Sequence, residues 1–166
     1  AMSGLRPVFS DSGTVTAATS SPLTDGATAL IVCSEEFASS HGLQPLVRIV
    51  SGTATGCKPE LMGMGPVSAT QKVLENANWE IDSVDLFEIN EAFSSQSLAV
   101  ISELGIDIGR VNIDGGAISI GPPLGASGAR ITGKAASLLN RTGGKRAIAT
   151  MCIGGGMGMA MALEKI

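Results

Sequence analysis

This chain has no tyrosine, and aromatic residues make up only 3% of its 166 positions. Its core must therefore be built from Ala, Val, Ile, Leu and Met. Basic residues are few: 11 Lys and Arg against 15 Asp and Glu leave a net charge of −4. No run of Lys and Arg alternates with aromatics, which argues against a nucleic-acid surface. Charged residues reach only 16% while hydrophobic ones reach 44%, a balance that excludes a disordered chain. The apolar run near the end, Met157 to Leu163, is too short to span a bilayer, so no membrane partner is expected. The N-terminus lacks a charged-then-apolar signal pattern, and Ala1-Met2 reads as a tag remnant before a start methionine.

Histidine and cysteine are scarce in a way that limits chemistry. Cys33, Cys57 and Cys152 are odd in number and widely spaced. They read as thiols of a reducing compartment, the cytoplasm or an organellar matrix, and their spacing is not that of a zinc site. His41 is the only histidine. It follows Ser39 and Ser40 at the end of a short helix, where a solvated cap is the expected role. Any Ser–His or Cys–His pair within the chain would have to use it. No metal site and no bound cofactor are expected.

What is abundant is glycine, with 22 residues. Five of them, with two prolines, fall between Gly115 and Arg130. Glycine lets backbone approach a ligand closely, and adjacent prolines stiffen a turn. No Gly-Lys-Ser/Thr ending and no dinucleotide fingerprint accompany them, which argues against a phosphate cradle.

Residues 1–24 read as an extended lead-in and 25–166 as one domain, without internal repeat or linker. Ala27 to Cys33 has the composition of a buried strand. Ser34, Glu35 and Glu36 open a short helix that Gly42 ends. Leu46 to Thr53 and Asp85 to Ile89 read as strands, and Val111 to Ile113 as a short one. Helices are predicted over Pro66 to Asn76, Ala92 to Leu104 and Gly125 to Asn140, with glycines stopping the last two. Arg146 to Cys152 and Met157 to Leu163 form a hairpin across Gly154-Gly155-Gly156. The pattern is an α/β layer with a mixed sheet.

Three clusters fall at strand ends. In Asn90-Glu91-Ala92-Phe93 the asparagine can cap a helix, or hold a water beside a substrate oxygen. The Gly115 to Arg130 segment can be a ligand loop or a tight crossover. In Cys152-Ile153-Gly154 the thiol can be inert and buried, or presented beside backbone N–H groups able to hold an oxyanion. Glu88 and Glu91 point to different faces and are not marked as a carboxylate pair.

Together these clusters resemble the C-terminal half of the thiolases, the acyl-CoA C-acyltransferases. Asp11-Ser-Gly-Thr-Val-Thr-Ala-Ala is similar to the segment that opens that half. Asn90-Glu91-Ala92-Phe93 matches the family's Asn-Glu-Ala-Phe. Gly115-Gly-Ala-Ile and Leu124-Gly-Ala-Ser-Gly-Ala-Arg match both sides of its Gly-His-Pro signature, and Cys152-Ile-Gly-Gly-Gly its C-terminal motif. The resemblance implies a βαβαβαββ half with a five-stranded mixed sheet covered by helices. It implies coenzyme A thioesters as substrates, with formation or thiolysis of acetoacetyl-CoA or another 3-ketoacyl-CoA. Asn90 would hold an oxyanion water, Cys152 would move a proton at the α-carbon, and the Gly154 backbone would form a second oxyanion site. Ala92 and Phe93 would line the acyl or pantetheine pocket.

The sequence departs from the family in two ways. The half that carries the family's nucleophilic cysteine is missing. Pro122 also stands where the family has histidine, and proline has neither a titratable group nor an N–H. Loss of general-base activation typically costs a factor of about 10²–10⁴. The isolated chain is therefore expected to be inactive. Its expected partners are an N-terminal thiolase half or a second copy joined through the small apolar helix Gly125 to Asn140. A non-catalytic structural or partner-binding subunit is the alternative.

Overall fold

The structure, a computed structural model, describes residues 2–166; Ala1, part of the supposed tag remnant, lies outside them. Four strands form one mixed sheet: β1 (Val47–Gly56), β2 (Leu86–Ile89), β3 (Arg146–Ile153) and β4 (Met157–Lys165). Their order is β1-β4-β3-β2. β4 runs antiparallel to both neighbours, and β2 lies parallel to β3 with Ile89 opposite Thr150. All four residues of β2 are buried, as a strand covered on both faces requires.

The helices are α1 (Glu35–Ser40), α2 (Gly65–Ala77), α3 (Ser94–Leu104), α4 (Ala117–Ile120) and α5 (Ser127–Thr142). Their ends follow local chemistry. The Ser34 hydroxyl accepts the Phe37 N–H at 3.1 Å and opens α1. Pro66 occupies the first turn of α2, where its missing N–H costs nothing. Gly105 and Gly143 close α3 and α5 with φ of 66° and 78°. His41 caps α1, stacked on Phe37 and exposed.

The sheet lies between two helical layers. On one face α2 and α3 enclose Val73, Trp79, Phe87, Val100 and Ile148. On the other α5 covers Leu86, Ala147 and Leu163 with Ala135, Leu138 and Leu139. Burying each large aliphatic or aromatic side chain stabilises the fold by about 1.5–3 kcal/mol. The start of α2 crosses the β3–β4 hairpin so closely that a Cβ on Gly158 would overlap the Gly65 carbonyl. Among the described residues no helix is long and apolar enough to cross a membrane.

Three expectations are corrected. Ala27 to Cys33 forms no strand and lies exposed, with Ile31 at 92% and Val32 at 71% exposure. A strand needs a partner for its N–H and C=O groups, and this run pairs with none of the four strands. The sheet also has four strands rather than five. Val111 reaches it through one bridge to Phe87, and the chain then turns away because Asn112 takes φ of 46°. The Asn112 amide replaces the missing strand: it accepts the Ile89 N–H at 2.9 Å and donates to the Ile89 carbonyl at 2.8 Å. Finally, of the residues expected on a free association face of this helix, Ala126, Ala135, Ala136, Leu138 and Leu139 are buried within the chain itself and Ala129 is half-buried.

Candidate functional site

The candidate residues converge on the carboxyl ends of β2 and β3, the usual place for a site in an α/β sheet. Asn90 directly follows β2, and its N–H donates to the Thr150 carbonyl at 2.9 Å. Cys152 lies near the end of neighbouring β3 and is buried. Burial pushes its thiol above the ordinary range, and nearby Cys57 acts in the same direction. Gly154 begins the exposed turn beyond it, where an added Cβ would meet nothing.

Asn90 is not the helix cap that its residue type permits. Phe93 occupies the cap position of α3 without a side-chain cap bond, and Gln96 Oε1 instead accepts the Ala92 N–H at 3.3 Å. The Asn90 Oδ1 is left buried with no protein partner. An unpaired buried polar atom costs about 1–3 kcal/mol. Such an atom at a strand end is a reason to look for a ligand.

The lead-in holds the other candidates in place. Ser21 donates its N–H and its hydroxyl to the Ala92 carbonyl at 3.1 and 3.2 Å. Phe9 meets Phe93 edge-on, with ring centroids 5.8 Å apart. Gly121 takes φ of 86° where a Cβ would overlap Thr24, and Gly26 leaves room for Pro123. Residues 20–26 thus run from the Asn90–Phe93 segment to the glycine-rich loop.

That loop enters α5 through a tight turn. The Pro123 carbonyl accepts the Ala126 and Ser127 N–H groups at 2.8 and 2.9 Å. A Cβ on Gly128 would lie 3.8 Å from Met151 Sδ, which places the first turn of α5 beside the end of β3. Pro122 is buried in this turn and brings no proton and no N–H donor to it. An apolar cavity of about 320 Å³ lies between α5 and the sheet, lined by Ile131, Met151, Met159 and Met161. None of the six candidate residues lines it.

Two carboxylates without a motif of their own shape the site. Glu91 accepts Asn112 Nδ2 and the Ile118 N–H, both at 3.0 Å. Glu88 is 1% exposed and faces Lys134 Nζ at 3.4 Å. Burial raises its pKa to about 7, against the pull of Lys134 and Arg130. The Lys134 ammonium also donates to the Gly115 carbonyl, where the loop begins. Glu88 lies on β2 against α5, whereas Glu91 lies beyond the strand end against Gly116 and Ile118. Only the α5 register, with Arg130 and Lys134 four apart, hints that Glu88 has cationic company.

Comparison with known proteins gives a consistent picture. The family description "Thiolase, C-terminal domain" matches residues 43–165, and "Thiolase, N-terminal domain" matches residues 1–36. An acetyl-CoA acetyltransferase of Shinella zoogloeoides is 51% identical over 165 residues, covering 99% of this chain and 42% of that protein. The crystal structure of the Bacillus anthracis acetyl-CoA acetyltransferase superposes with a TM-score of 0.97 at 45% identity, covering 99% of this chain and 42% of that one. Human mitochondrial 3-ketoacyl-CoA thiolase in complex with CoA gives a TM-score of 0.92 at 40% identity, covering 99% and 42%. The chain therefore spans about two fifths of the length of the relatives it matches.

Proposed function

This chain belongs to the thiolase family, and we propose that it is the C-terminal part of an acyltransferase that makes or thiolyses acetoacetyl-CoA or another 3-ketoacyl-CoA. The observation that carries this reading is the buried, unpartnered Asn90 Oδ1 at the end of β2, one strand away from Cys152. In the complete protein Asn90 would hold the water that faces a thioester oxygen. Cys152 would move the proton at the α-carbon; its raised pKa keeps it protonated at neutral pH, ready to donate. The N–H of Gly154 would face the developing oxyanion. Ala92 and Phe93 would border the acyl or pantetheine chain. Coenzyme A thioesters would enter as substrates, with no resident cofactor. The relatives include bacterial and cytosolic proteins, and a cytoplasmic setting fits them.

Pro122 favours a second reading. A buried proline in place of a general base suits a non-catalytic partner-binding subunit. An acetoacetyl-CoA thiolysis assay separates the two. The isolated chain should show no turnover. The same chain carrying Pro122→His and joined to a thiolase N-terminal half should turn over. Turnover by the isolated chain at an enzyme-like rate would sink the claim of inactivity. A completed Pro122→His protein that stays silent would leave the scaffold reading in possession.

A further inference from the structure

We propose that Glu91 is a positioning residue, the latch that fixes the end of β2, and with it Asn90, to the glycine-rich loop that carries Pro122. The inference rests on the acyl-transfer reading for what the positioned groups do, and its geometry stands independently.

Three contacts make the latch. One carboxylate oxygen takes Asn112 Nδ2, and the other takes the Ile118 N–H. The carboxylate also occupies the space above Gly116, where a Cβ would overlap it. Asn112 is in turn locked, because its amide satisfies both the N–H and the carbonyl of Ile89. A single side chain thus ties Asn90's own strand to the segment that leads, through α4, into Gly121 and Pro122. Bonds to a charged acceptor are the stronger kind, so a carboxylate suits this junction.

The identity of the residue follows from donor counting. Asn112 cannot flip, since flipping would place its NH₂ against the Ile89 N–H. Both groups that face residue 91 are therefore donors. A carboxylate can accept both on separate oxygens. A glutamine would set its own NH₂ against one of them. Aspartate is one methylene shorter and cannot span the same gap.

The test uses the 166-residue chain and no acyl-CoA. Nitrogen-15 NMR follows the Ile118 amide and the side-chain amides of Asn90 and Asn112 in Glu91→Gln, Glu91→Ala and Gly116→Ala. Exchange of the Ile118 amide should speed up by about tenfold or more in Glu91→Ala, with a smaller effect in Glu91→Gln. The Asn90 and Asn112 signals should move in both variants while Trp79 emission stays unchanged, since Trp79 packs in the α2–α3 core. Gly116→Ala should disturb the same signals in the parent and add nothing in the Glu91→Ala background. Should Glu91→Ala fail to fold, the nearly isosteric Glu91→Gln carries the comparison. Unmoved Asn90 and Ile118 signals would overturn the proposal. So would a Gly116→Ala effect that is the same with and without the carboxylate. Moving signals support the latch even where a completed Pro122→His protein lacks thiolysis, so failure of the latch and failure of the function are told apart.

Discussion

Replacing Glu88 by glutamine should remove a specific slope from the pH dependence of stability. Glu88 is 1% exposed on β2, against Lys134 and Arg130 of α5 and with Asp114 nearby. Burial raises its pKa from the ordinary 4.5 to about 7. The folded state therefore keeps a proton over a range where the unfolded state has lost it. The group's contribution is fully present below pH 4.5 and is lost as pH rises through about 7. At about 1.4 kcal/mol per pH unit, the difference across that window is about 3 kcal/mol. A single stability value would mislead, because Glu88→Gln also strips Lys134 of its counter-charge, and breaking a buried pair is costly. The slope isolates the proton. Urea unfolding followed by Trp79 emission, at steps from pH 4.5 to 8, should show the parent losing stability relative to Glu88→Gln as pH rises. Ionisable groups elsewhere in the chain are common to parent and variant and cancel in the difference. Curves for parent and variant that stay parallel across the window would refute the reasoning.

The three thiols should alkylate in order of exposure, with Cys33 first and Cys152 last, since burial both hides Cys152 and keeps it protonated. Mass mapping of an iodoacetamide time course at pH 7.5 checks this; Cys152 reacting as fast as Cys33 would contradict its burial. Gly158→Ala should destabilise the fold by about 3 kcal/mol or unfold it, because its Cβ would overlap the backbone of Gly65. Gly154→Ala has open space and should stay within about 1 kcal/mol of the parent by the same urea assay.

Much of the fold was legible because its punctuation is local. Ser34, Pro66, Gly105 and Gly143 act through their own backbone geometry, and the sequence shows them directly. The hairpin across Gly154 to Gly156 is of the same kind, with Gly155 and Gly156 at φ of 91° and 92°. The failures are non-local. Ala27 to Cys33 has strand composition, but a strand is a relation between two segments, and no strand pairs with it here. Val111 to Ile113 reads as a strand because nothing in its composition reveals that Asn112 will spend its side chain on Ile89. At the site, residue types pointed to Asn90 and Cys152, and strand pairing brought them to one end of the sheet. The same types could not separate a capping Asn90 from a ligand-facing one. That distinction depended on Gln96 taking the Ala92 N–H. Glu88 was invisible as a buried group because its surroundings come from a helix more than 40 residues away.

Asn112 has an effect beyond its own turn. By satisfying both polar groups of Ile89 it stoppers the outer border of β2, so that no foreign backbone can dock at that point. β1 forms the other border and has no strand beyond it among the described residues. The two borders of the sheet are therefore unlike: a side chain closes β2 at Ile89, while β1 carries no such stopper from Asn112.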